Sequence, residues 1–149
     1  MCASVVAAFA MTSCSQKQDK ANPLMSKFAT PYEIAPFDQI TIDDYREAML
    51  KGIEEEKAEI QAIIDSKEEP TFANVIAAMD KAGELSERAS GTFGPISSSN
   101  STQETRDLQK ELSPIRSAFS DWVNLNPELF AKVKAVYDKH NSYRKQPLP

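Results

Sequence analysis

Leu108-Gln109-Lys110-Glu111-Leu112-Ser113-Pro114-Ile115-Arg116-Ser117-Ala118-Phe119-Ser120-Asp121-Trp122 decides the fold class. Its apolar residues Leu108, Leu112, Ile115, Phe119 and Trp122 recur at steps of four, three, four and three. That period is the mark of a helix that buries one stripe. Ser101-Thr102-Gln103-Glu104 supplies a capping box at its start, with a hydroxyl three residues ahead of an acid. Pro114 interrupts the stripe. A proline inside a helix removes one backbone bond and costs about 3 kcal/mol, so a kink, or a restart capped by Ser113, is expected there.

Working outward, the same signals recur. Thr41 with Asp44 caps a first helix that carries Tyr45, Met49, Ile53, Ile60 and Ile63 or Ile64 on one side and ends near Ser66. Thr71 caps a second, with Phe72, Val75, Ile76, Met79, Ala82, Leu85 and Ala89 as its buried side. Gly91, Gly94 and Pro95 are expected to loosen its end, and Ser97-Ser98-Ser99-Asn100 to form a polar turn. Asn126-Pro127 opens the last helix, with proline at the first helical position and Leu129, Phe130, Val133, Val136 and Tyr137 inward. No segment alternates as a strand would. The fold class is all-α: about four antiparallel amphipathic helices, preceded by an extended proline-rich arm.

The arm, residues 22–40, holds Pro23, Pro31 and Pro36 between Phe28, Tyr32, Ile34 and Phe37. Prolines at that density exclude a long helix, and the aromatics predict packing against the helices. Before it, Ser15 opens a polar tether after a different kind of sequence. Ala3 to Met11 is apolar but too short for a bilayer, which needs about 20 residues. It fits the apolar region of a secretory signal. Small residues lead into Cys14, as in a bacterial lipobox, where the cysteine becomes the lipidated first residue; Met11 replaces the usual leucine and no Lys or Arg precedes the run. Anchoring at the cell envelope is the expectation, with a plain cleaved signal, an unprocessed tail or a Cys2–Cys14 disulfide as alternatives. The domain boundaries follow as 1–14, 15–40, 41–141 and a tail at 142–149.

Formal charge excludes one function class. With 22 acidic and 17 basic residues the net charge is -5, whereas phosphate recognition needs clustered Lys and Arg. No nucleic-acid partner is expected.

Residues that might carry chemistry are few. His140 is the one histidine, near the end of the last helix, and its followers Asn141-Ser142-Tyr143 offer no ligand spacing. It reads as a solvated helix-terminal side chain. Glu54-Glu55-Glu56 point about 100° apart in succession and read as a solvated face, not a paired acid–base or calcium site. Trp122 with Phe119 reads as core packing before a ligand platform. Ser97 to Ser101 has no histidine partner, and Gly91-Thr92-Phe93-Gly94 lacks the Gly-Lys-Ser/Thr ending of a phosphate loop. These residues predict no catalytic, cofactor or metal position in the chain; the lipidated Cys14 is the single site residue expected.

A longer pattern points further. Asn22-Pro23-Leu24, Pro36-Phe37-Asp38-Gln39-Ile40 and Asp44-Tyr45-Arg46-Glu47-Ala48-Met49 follow one another in order. Gly52-Ile53, Ala58-Glu59-Ile60-Gln61-Ala62-Ile63, Pro70-Thr71-Phe72-Ala73-Asn74-Val75-Ile76, Gly83-Glu84-Leu85 and Asn126-Pro127-Glu128-Leu129-Phe130-Ala131-Lys132-Val133 continue the series. This order resembles the amino-terminal region of bacterial peptidyl-dipeptidases in the thimet oligopeptidase family of zinc metallopeptidases. The resemblance implies a large helical enzyme around a deep channel, with one zinc held by His-Glu-x-x-His and a downstream glutamate. It implies short peptides as substrates and release of carboxyl-terminal dipeptides. Those catalytic elements lie beyond the resembling region, so the implication for this chain is a channel wall that binds no zinc and is inactive alone. Its partner would be a carboxyl-terminal catalytic domain, and the tail Ser142 to Pro149 reads as a truncated or aberrant end. The alternative is a stand-alone lipid-anchored helical binding module, for which a closed core and polar surface are expected.

Overall fold

A computed structural model describes residues 21–144, with side chains through residue 141. Cys14, the signal-like segment and the end of the tail lie outside the described residues. Five helices follow the arm: α1 (Ile42–Asp65), α2 (Ala77–Lys81, entered through a π-helical turn at Phe72–Ile76), α3 (Glu84–Ser99), α4 (Gln103–Asn124) and α5 (Pro127–Arg144). Among the described residues no strand forms.

Helix α1 starts where its cap predicts. Thr41 Oγ1 accepts from the Asp44 N–H at 3.2 Å, and the Asp44 carboxylate accepts from the Thr41 N–H at 2.8 Å. The positive end of the helix favours Asp43 and Asp44 in that first turn. At the other end the ammonium of Lys132 donates to the Ser66 carbonyl at 2.7 Å. Asn126 caps α5 as expected, its Oδ1 accepting from the N–H groups of Glu128 and Leu129 at 3.0 and 2.9 Å. The capping box of α4 is shifted by one residue: Thr102 and Thr105 form it, while Ser101 accepts from Arg106. A buried Thr105 hydroxyl closes the box where the exposed Glu104 does not.

Helix α1 is the spine, and it serves two cores. The first joins Leu24 of the arm, Tyr45, Ala48 and Met49 of α1, Leu85, Ala89 and Phe93 of α3, and Leu108 and Leu112 of α4. Tyr45 and Phe93 meet with ring centroids 5.1 Å apart. The second joins Ile60, Ile63 and Ile64 of α1, Val75 ahead of α2 and Leu129 of α5. Contacts of α1 with α3 run in opposite order along the two helices, from Tyr45–Phe93 to Glu59–Gly83. Helix α4 runs the same way as α1, from the Arg46–Glu111 ion pair (3.1 Å) to Lys57 over Trp122. Helix α3 is thus antiparallel to both α1 and α4, while α1 and α4 form a parallel pair.

The second expected helix is two helices. Ala82 is extended (ψ 146°) and Gly83 takes the left-handed conformation (φ 80°), so the chain turns there. Only glycine enters that region without strain. The Gly83 N–H, freed by the break, donates to the Glu59 carboxylate at 2.8 Å. The break sends Val75, Ile76, Met79 and Ala82 to the second core and Leu85 and Ala89 to the first. Phe72, expected inward, is 67% exposed because the π-helical turn rotates it outward.

Neither proline stops its helix. Helix α3 runs through Gly91, Gly94 and Pro95, and Ser97 to Ser99 form its last turn, not a loop. Helix α4 runs through Pro114 without a restart at Ser113. In both cases the proline and the residue four earlier (Gly91, Lys110) are exposed, so water can reach the carbonyl that loses its donor. Helix α5 continues through Arg144, past the boundary drawn at residue 141.

The arm is less extended than its prolines imply, with 3-10 turns at Pro23–Met25, Pro31–Glu33 and Phe37–Gln39. Leu24 is completely buried, while Tyr32, Ile34 and Phe37 face outward. The Asn22 side chain holds the arm's start, accepting from Leu24 N–H at 3.0 Å and donating to the Asp44 carbonyl at 2.9 Å.

Candidate functional site

Among the described residues no three His, Cys, Asp or Glu side chains converge to hold a metal. His140 stands exposed late in α5. Ser97, Ser98 and Ser99 each donate to a carbonyl of their own helix, at 3.0, 3.1 and 2.5 Å. Gly91 to Gly94 lies inside α3 and forms no loop.

The glutamate run divides. Glu54 and Glu55 are exposed, but Glu56 turns toward Gly83, where an added Cβ would lie 2.6 Å from the Glu56 Cδ. Burial holds the Glu56 carboxyl above the ordinary carboxylate range, a hydrogen bond with Ser86 works against this, and the charge of Glu59 adds to it. A raised carboxyl pKa means that ionised Glu56 costs the folded state, and that this cost is absent below the ordinary value near 4.5. Stability from this group therefore falls as pH rises through its raised pKa. Glu56→Gln is expected to raise the urea midpoint at pH 7, with the gain vanishing below pH 4.5. An equal gain at every pH would exclude ionisation as the cause.

Helix α4 leaves the second half of its apolar stripe partly uncovered. Its stripe is buried at Leu108 and Leu112, but Ile115 is 39% exposed and Phe119 and Trp122 are half-buried. Those three, with Pro114 and Ala118, face Ile53 of α1 across an apolar groove of about 450 Å³. Phe119 and Trp122 stack at 6.1 Å and 21°, and the Lys57 ammonium sits 5.1 Å from the Trp122 ring, within cation–π range. The core role expected of this pair is met only in part, since Trp122 packs on the second core while the groove stays open. On α5, Phe130 and Tyr137 are also exposed, seven residues apart on one face. They were expected inward; the inner side of α5 is taken by Leu129, Val133 and Val136. Periodicity placed these apolar residues on helices but did not show which stripe finds a neighbour.

A second groove lies between α3 and α4. It has a volume of about 640 Å³, with Ser90, Ser97, Ser113, Ser117, Gln109 and Arg116 along its sides and Met49, Phe93 and Leu112 at its base. Motif reading weighed Ser97 only as a nucleophile and passed over the groove, because its residues come together from separate helices.

No family model matches the chain. A dipeptidyl carboxypeptidase of Salmonella typhimurium is 31% identical over 121 residues. A dipeptidyl carboxypeptidase of Escherichia coli is 33% identical over 121 residues. This chain is related to the dipeptidyl carboxypeptidases. Each match takes in 81% of the chain and 18% of the relative, so the chain spans less than a fifth of the length of the curated relatives it matches. The resemblance met in the sequence is thereby a relationship, and it extends over most of the helical region.

Proposed function

We propose that this chain is the amino-terminal, channel-wall part of a zinc metallopeptidase that releases carboxyl-terminal dipeptides from short peptides. The relationship over 121 residues carries this reading. The uncovered groove along α4 and the exposed Phe72, Phe130 and Tyr137 support it, because a stand-alone module would be expected to bury or avoid such surface. The described residues do not fit a zinc ion, so the metal and the hydrolytic step belong to the remainder of the larger protein. What these helices contribute is a wall that admits unfolded peptides and excludes folded ones.

The test is a chimera in which this chain's matched region replaces the corresponding stretch of the Escherichia coli enzyme. Dipeptide release from a short peptide is the expected result. A folded, zinc-loaded chimera that releases none would overturn the reading.

Attachment to the bacterial cell envelope through a lipidated Cys14 completes the proposal and rests on the sequence before the described residues. Palmitate fed to bacteria expressing the chain is expected to label it, and Cys14→Ala to abolish the label. Equal labelling of both would refute the anchor.

A further inference from the structure

We infer that the groove between α3 and α4 binds the terminal carboxylate of a short peptide, with Arg116 as the group that holds it. This rests on the peptide-handling reading above and adds a binding site to it. The groove exists because its walls are small. Ser90, Gly94 and Ser97 step by four and three along one face of α3, and Ser113 and Ser117 face them from α4. A Cβ added at Gly94 would meet nothing within 4 Å, so a peptide backbone can approach α3 closely there.

Arg116 gives the trough its charge. Arg46 is bonded to Glu111 and Asp43, Arg88 to Glu84 and the Leu24 carbonyl, and Arg106 to Ser101 and Gln103. Among arginines with described side chains, Arg116 alone has no hydrogen bond or ion pair. In a chain of net charge -5, an uncommitted guanidinium beside hydroxyls is suited to a planar carboxylate, which it can grip through two parallel N–H bonds. The Ser97 hydroxyl already donates to the Gly94 carbonyl, so its lone pairs remain to accept a peptide N–H. Met49, Phe93 and Leu112 at the base would receive an apolar side chain. Anion, amide and apolar contacts together match a peptide end better than an inorganic ion.

The intact 149-residue chain is titrated calorimetrically with the tetrapeptide Ala-Ala-Phe-Ala, with its carboxyl-terminal amide and with inorganic phosphate. The free acid is expected to bind at least tenfold more tightly than the amide. Arg116→Gln should weaken the acid at least tenfold without changing the amide, Arg116→Lys should fall between, and Arg106→Gln should behave as the parent. Each variant is checked for unchanged circular dichroism, and its exposed position makes folding robust. Equal affinity for acid and amide, no saturable binding of the acid at millimolar concentration, or phosphate binding as tight as the peptide's would each overturn the inference. An active chimera with no carboxylate preference would remove this site alone. An inactive chimera with the preference intact would remove only the reading of the larger protein.

Discussion

Replacing Gly52 by alanine is expected to destabilise the folded chain by about 2–3 kcal/mol, as overpacking of a closed contact does. Alanine is the better helix former by about 1 kcal/mol, so propensity alone predicts the opposite sign. Geometry reverses it. A Cβ at residue 52 would lie 2.7 Å from the Ser86 nitrogen and 2.8 Å from its Cα. Both are backbone atoms, so no rotamer change relieves the clash and α3 itself must move away from α1. Urea unfolding monitored by circular dichroism reads the effect. Gly91→Ala and Gly94→Ala are the controls: neither new methyl meets any atom within 4 Å, and each should stabilise α3 by about 0.5–1 kcal/mol. Ser86→Gly should rescue Gly52→Ala only slightly, because it removes just the more distant Cβ contact at 3.2 Å. A Gly52→Ala protein as stable as the parent would show that the two helices do not approach this closely.

Leu24→Ala is expected to cost about 3 kcal/mol, within the usual range for emptying a buried leucine site. Leu24 is 0% exposed, and it belongs to the arm rather than to a long helix. Its loss leaves the arm with the partly buried Met25, Phe28 and Ile40 and with the Arg88 bond to the Leu24 carbonyl at 3.0 Å. Limited proteolysis should therefore cut residues 22–40 in the variant at urea concentrations where the helices remain folded. Uncut arm, or a loss below about 1 kcal/mol, would mean that the pocket collapses onto the smaller side chain.

The helices were legible in the sequence where local chemistry determines them. Thr41 with Asp44 and Asn126 with Pro127 set their helix starts through bonds to neighbours within a few residues, and these are found as read. The break at Gly83 was missed because its determinant is distant: the Glu59 carboxylate that holds its N–H is 24 residues away. Pro95 does not loosen the end of α3 and no restart follows Ser113, because the cost of a missing backbone bond depends on whether water reaches the orphaned carbonyl. The apolar stripe of α4 was read correctly as far as Leu112, and beyond it the question is which neighbour covers the stripe. Periodicity has no access to that. Neither groove was legible as a groove for a related reason, since each is assembled from residues on separate helices.

Two separate apolar clusters grip a single uninterrupted helix, one near its start and one near its finish. Between them the helix meets α3 through the bare backbone at Gly52 and through the Glu59 carboxylate on the Gly83 N–H. The middle of α1 is thus a waist with little oil in it. Twisting of one half relative to the other would concentrate at that waist, leaving each greasy knot intact while the angle between them varies.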